Sequence, residues 1–157
     1  MRVLIGSETY ERIELGKYAS ADQEVTDTTL VLSNHLVRTV QAGLEYAFRF
    51  GVFFLNDGAA EGAKFAVDGT CTATAIKAQI TIYDDVLNST VAFARVTALA
   101  SAVGAGVSAG SNYAEIEGSI SVNAAGTLGL SFAQNAAGVN AGVHVEVASF
   151  MTLLELA

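Results

Sequence analysis

The sequence predicts an all-β protein, an antiparallel β-sandwich of jelly-roll type with about eight strands and an extended N-terminal arm. Three observations predict it. Apolar side chains recur with period two in segment after segment, small clusters of Gly, Asn and Asp separate those segments, and no convincing crossover helix lies between them.

Residues 1–25 carry Arg2, Glu8, Glu11, Arg12, Glu14, Lys17, Asp22 and Glu24, a charge density not met again. They read as a separate arm or solvated first strand, with residues 26–157 forming one sandwich domain. An arm of this kind can order on a neighbouring subunit, which makes Tyr10, Arg12 and Tyr18 candidate contact residues. In "TLVLSNHLVRTVQAGL", Leu32, Leu36, Val40 and Leu44 also fall at helical spacing. Val and Thr cluster there among strand-like neighbours, so Leu36 to Val40 is read as strand.

"LEYAFRFGVFFLN" gives the longest alternation. Leu44, Tyr46, Phe48, Phe50, Val52 and Phe54 take the even positions, and Glu45, Ala47, Arg49 and Gly51 the odd ones. Asn56-Asp57-Gly58 reads as the turn that follows, on residues that accept positive φ. Phe65 and Val67 mark a short strand closed by Asp68-Gly69. From Cys71 to Tyr83, Ile76, Ala78, Ile80 and Ile82 oppose Lys77, Gln79 and Thr81. Val91 to Ala100 reads as another strand. Ile116, Ile120 and Val122 oppose Glu115, Glu117 and Ser119; Leu128, Leu130 and Phe132 line the next strand. After an Asn/Ala/Gly loop, Val143, Val145 and Val147 line one more, facing either the core or an interface between copies. With no proline in the chain, the turns rest on Gly, Asn and Asp.

Composition narrows the function. The 157 residues are 52% hydrophobic and only 15% charged, more apolar than one sandwich needs to cover itself, so identical copies are expected to shield one another. The net charge is −8, and no Lys or Arg follows Arg95, which argues against nucleic acid as a partner. The apolar start of the chain is too short for a secretory core, and the uncharged stretch from Val96 to Ala114 is too rich in Gly, Ser and Asn for a membrane span. The single Cys71 reads as a small apolar strand residue.

The chemical motifs are weak. "GVSAG" (Gly106 to Gly110) matches a nucleophile elbow, and Ser108, Glu117 and His144 follow in triad order, but a β pattern rather than a helix comes next. His35 and His144 are the only histidines and neither stands at metal-ligand spacing. Asp84 and Asp85 are adjacent in a strand, so they point to opposite faces. Asp22, Gln23, Glu24 and Asp27 could clamp calcium, though no EF-hand pattern is present. No catalytic, metal or cofactor residue is therefore assigned, and the protein reads as a non-enzyme. Phe53, Phe54, Tyr83, Tyr113 and Phe150 are candidates for stacking a sugar on a sheet face.

Two segments carry a family resemblance covering Ala21 to Leu156. In "ASADQEVTDTTLVLSNHLVRTVQAGLEYAFRFGVFF" a polar lead-in meets a His-Leu strand, an Ala-Gly turn and an aromatic strand. In "GTLGLSFAQNAAGVNAGVHVEVASFMTLLEL" a Gln-Asn pair closes one strand and a Ser-aromatic step enters the last. These resemble small virion structural proteins of tailed bacteriophages, and the ending is similar to trimeric jelly rolls of the tumour-necrosis-factor and C1q type. Members of that group usually carry Pro and Trp, which this chain lacks.

The resemblance implies a location in the virion, on the capsid surface. It implies a capsid decoration protein that binds the major capsid protein as a homo-oligomer, with a trimer as the expected form. A tail or fibre-associated protein with a glycan-binding sandwich is the alternative. Tyr113, Val143, Val145, Val147 and Phe150 join Tyr10, Arg12 and Tyr18 as the expected interface residues.

Overall fold

A strand flanked on both edges and apolar on one face must lie at the centre of a sheet over a core, and β6 (Glu45–Asn56) does so. The computed structural model describes residues 2–5, 8–11, 17–138 and 142–156, and for those up to residue 18 the backbone pairing alone. Tyr46, Phe48, Phe50, Val52 and Phe54 are at most 5% exposed, as the even-numbered alternation predicts. One edge of β6 pairs with β11 (Gly110–Ala124), which pairs in turn with β8 (Thr72–Asp84) and β8 with β9 (Ser89–Val96). The other edge pairs with β13 (Val143–Val145) and β14 (Phe150–Leu156). Two short strands complete this larger sheet, β3 (Lys17–Tyr18) on β14 and β4 (Gln23–Val25) on β13.

The second sheet has the order β10 (Val103–Ala105), β7 (Ala63–Asp68), β12 (Gly126–Gln134), β5 (Val31–Val40). Every ladder is antiparallel, and no helix occurs among the described residues. Successive strands β5, β6, β7, β8 and then β10, β11, β12, β13 alternate between the sheets, as in a jelly roll, while β9 is an added hairpin strand. Phe54 of the larger sheet meets Phe65 of the smaller edge-on at 5.0 Å between centroids. Phe50, Phe54, Phe65 and Phe132 are all fully buried. Each contributes about 1.5–3 kcal/mol relative to an exposed position.

The N-terminal region also forms backbone pairs. β1 (Arg2–Ile5) and β2 (Glu8–Glu11) pair with each other as a hairpin, and residues 17–25 belong to the larger sheet through β3 and β4. Elsewhere the pattern is legible with small corrections. The strand expected from Val91 to Ala100 ends at Val96, and Ala100 turns the chain with φ of 58°. Cys71 is buried just before β8 rather than within it, its N–H bonded to Thr127 O. The turn after β6 does not use Asn56 for positive φ. Gly62 takes that conformation, and the fully buried Asn56 amide donates instead to the Gly58 and Val107 carbonyls.

β13 and β14 are one line of pairing interrupted by residues 146–149, where Ala148 has φ of 74°. Here Ser149 takes the place of a ladder residue. Its Oγ accepts from Phe53 N–H at 2.9 Å and donates to Phe53 O at 3.0 Å, with the side chain fully buried. The excursion also explains why Val147 leaves the row of Val143 and Val145. Those two lie in the core at 0% and 1% exposure, whereas Val147 is 53% exposed and donates its N–H to Asp22 Oδ1.

Val145→Asp should cost on the order of 3–5 kcal/mol by leaving an uncompensated charge in the core, and urea denaturation measures it. Ser149→Ala should cost about 1–3 kcal/mol because Phe53 N–H loses its acceptor; the same titration reads the loss.

Candidate functional site

The alternation that buries the even positions of β6 and β11 presents the odd ones together on the far side of the larger sheet. Register places Phe53, Tyr113 and Tyr83 in one row across β6, β11 and β8. The next row runs Phe150, Gly51, Glu115, Thr81 and Phe93, from β14 to β9. The third runs Thr152, Arg49, Glu117, Gln79 and Arg95. Five aromatic rings thus stand on one outward face, with Phe53 42% and Phe93 59% exposed.

Three of the rings are in contact. Phe53 and Tyr113 lie 5.2 Å apart between centroids, and Tyr113 stacks on Tyr83 at 5.9 Å with 26° between planes. Phe150 lies across Gly51, where any Cβ would strike its ring, so glycine is required for this covering contact. Arg49 stands 5.9 Å over the Phe150 ring and donates through Nε to Glu115 Oε1 at 2.7 Å. Burial pushes the Tyr113 phenol up, and the Glu115 carboxylate adds to the shift.

Beside the rings lies an open groove of about 580 Å³. Arg49, Lys77, Gln79, Arg95, Thr97 and Glu117 line it. Three of the chain's 8 basic residues meet there, in a protein of net charge −8. Lys77 and Arg95 have no carboxylate within ion-pair distance among the described residues. At the end of the same sheet, the β8–β9 turn exposes Val86 and Leu87 at 63% and 64%.

Asp84 holds that apolar tip in shape. Its carboxylate accepts Leu87 N–H at 2.9 Å and Ser108 N–H at 2.7 Å. Burial by itself would push the group up. The N–H groups of Ser108, Leu87 and Val86, with the Ser108 hydroxyl, outweigh it and hold the carboxyl below its usual range. β8 ends at Asp84, so strand alternation does not extend to Asp85, which is exposed in the turn that follows.

Of the residues singled out as interface candidates, Tyr113 and Phe150 share the outward face. Val143 and Val145 do not reach any surface; the sandwich core takes them. Val147 is exposed but lies in the turn after β13. Tyr10 and Tyr18 fall in β2 and β3, where only the backbone is described, and Arg12 lies outside the described residues. Of the proposed sugar-stacking rings, Phe53, Tyr83, Tyr113 and Phe150 converge, whereas Phe54 is buried.

The other candidate constellations disperse. Ser108 donates its N–H to Asp84, while His144 pairs with Asp57, so no triad forms with Glu117. Asp22, Gln23 and Asp27 each accept a different backbone N–H, from Val147, Asn34 and Thr29, and do not converge on a cation. Glu24 turns instead toward His144, a meeting of distant residues that local spacing does not reveal. Phe93 was legible by parity, since it shares odd positions with Arg95.

No family model matches the chain, and no curated protein matches it. Among solved structures it is similar to a chain described as "Structure of infectious bursal disease virus Gt strain", at 12% identity and a TM-score of 0.21, covering 98% of this chain. The chain spans 45% of that chain's length, and a likeness this low carries no argument about function.

The folded-state Asp84 value lies below the unfolded one, so its stabilisation is present at neutral pH and fades as pH falls through the folded value. Asp84→Asn should melt below wild type at neutral pH, with the gap narrowing in acid. Thermal circular dichroism across that range checks the sign.

Proposed function

We propose that the chain is a virion structural protein, a capsid decoration protein of a tailed phage that associates with copies of itself through the outward face of the larger sheet. The observation that carries this reading is the set of five contacting or neighbouring rings on that face: Phe53, Tyr83, Tyr113, Phe150 and Phe93. Aromatic residues are enriched where protein surfaces meet and supply large buried area at low entropic cost. The exposed Val86-Leu87 tip adds a rigid apolar knob that a neighbouring subunit or the major capsid protein can accept. The acidic charge and the resemblance to small phage virion proteins support a place on the outside of the shell, away from DNA. A trimer is the form the resemblance favours.

A second reading draws on the groove. Rings that stack on the faces of sugars stand beside Arg95, Lys77, Gln79 and Glu117, which suits a tail or fibre-associated protein that grips a host glycan. Both readings are non-enzymatic.

Light scattering of the purified chain should give the mass of an oligomer, a trimer by preference, and Phe93→Glu with Tyr113→Glu should yield a folded monomer. A wild-type monomer at high concentration removes the decoration reading. Glycan-array binding lost in Tyr113→Ala would favour the second reading, and electron microscopy of particles places the chain on head or tail.

A further inference from the structure

Three segments far apart in the chain bring three metal-binding side chains together at one end of the larger sheet. Glu24 comes from β4, Asp57 from the turn after β6, and His144 from β13. β13 lies between β4 and β6, and its register sets His144 opposite Glu24 on one side and Leu55 on the other. His144 Nε2 is 2.9 Å from Asp57 Oδ2 and 3.9 Å from Glu24 Oε1. One donor atom from each residue lies within 4.8 Å of the other two.

Gly142 shapes the approach twice. A Cβ there would meet Glu24 Oε1 at 2.5 Å, so the absent side chain leaves room for that carboxylate. Its N–H donates to Asp57 Oδ2 at 3.1 Å and fixes that oxygen toward the histidine.

We propose that Glu24, Asp57 and His144 bind a single Zn2+ ion, with solvent completing its coordination. The donor set is one imidazole nitrogen and two carboxylate oxygens, which Zn2+ accepts at about 2.0–2.2 Å. Tetrahedral ligands at those bond lengths stand roughly 3.3 Å apart. The 2.9 Å His144–Asp57 separation widens slightly when the metal replaces the shared proton, and rotation of the exposed Glu24 closes the 3.9 Å gap. Calcium and magnesium prefer all-oxygen shells, so the imidazole selects against them. The ion would clasp the edge strand β4 and its neighbour β13 to the turn after β6. Only the folded chain gathers the trio, so binding raises stability by mass action.

The test titrates ZnCl2 into the full chain in metal-free buffer by calorimetry and follows the melting temperature alongside. The expected result is one ion per chain and a raised melting temperature that EDTA reverses. His144→Ala and the double variant Glu24→Gln with Asp57→Asn should lose both effects while keeping the wild-type circular dichroism spectrum, and His35→Ala should keep both. All the variants alter residues with exposed or half-exposed side chains, and if His144→Ala misfolds the double variant decides. No heat and no melting shift in wild type overturns the proposal. So does unchanged binding in His144→Ala or in the double variant, which would place the ion elsewhere.

Discussion

Strand β6 is paired along both edges and can bury only one face, and most of the molecule follows from that constraint. Its even positions hold Tyr46, Phe48, Phe50, Val52 and Phe54 over the smaller sheet. A slip of one residue against β11 would exchange these for Glu45, Ala47, Arg49 and Phe53, placing a carboxylate and a guanidinium in the core. The desolvation cost of those charges makes the register nearly obligatory. Register then dictates which residues of β8, β9, β11 and β14 share the outward face. The same pairing that forms the core assembles the candidate surface.

That surface differs from the chain's average. The protein is strongly acidic, yet its outward sheet face gathers Arg49, Lys77 and Arg95 beside an aromatic cluster. Glu115 anchors Arg49, while Lys77 and Arg95 have no such partner among the described residues. Apolar rings edged by unpaired cations suit contact with another molecule better than contact with water.

The last strand shows how a local defect serves the whole. Residues 146–149 leave the ladder, and the Ser149 hydroxyl accepts from Phe53 N–H and donates to Phe53 O, which also accepts from Glu146 N–H. Without that hydroxyl the Phe53 N–H would be orphaned beside a buried layer. The interruption lets β13 reach toward β4 while β14 continues along β6, and so brings His144 to Glu24.

The sequence by itself determined the all-β class and the two-sided character of β6, β8 and β11, and put Val143 and Val145 on one face without deciding between core and interface. Each depends on alternation within one strand, a property of neighbours along the chain. The convergence of Phe53, Tyr83, Tyr113 and Phe150 was half legible, since parity puts each ring on a face but says nothing of which strands lie side by side. Tertiary structure alone decided the rest. Strand order placed Phe93 and Arg95 at the edge of the aromatic face, the excursion at residues 146–149 turned Val147 outward, and β13 joined Glu24 to Asp57 and His144 across the fold. Those meetings come from long-range pairing between strands, and local periodicity carries no record of which strand will be the neighbour.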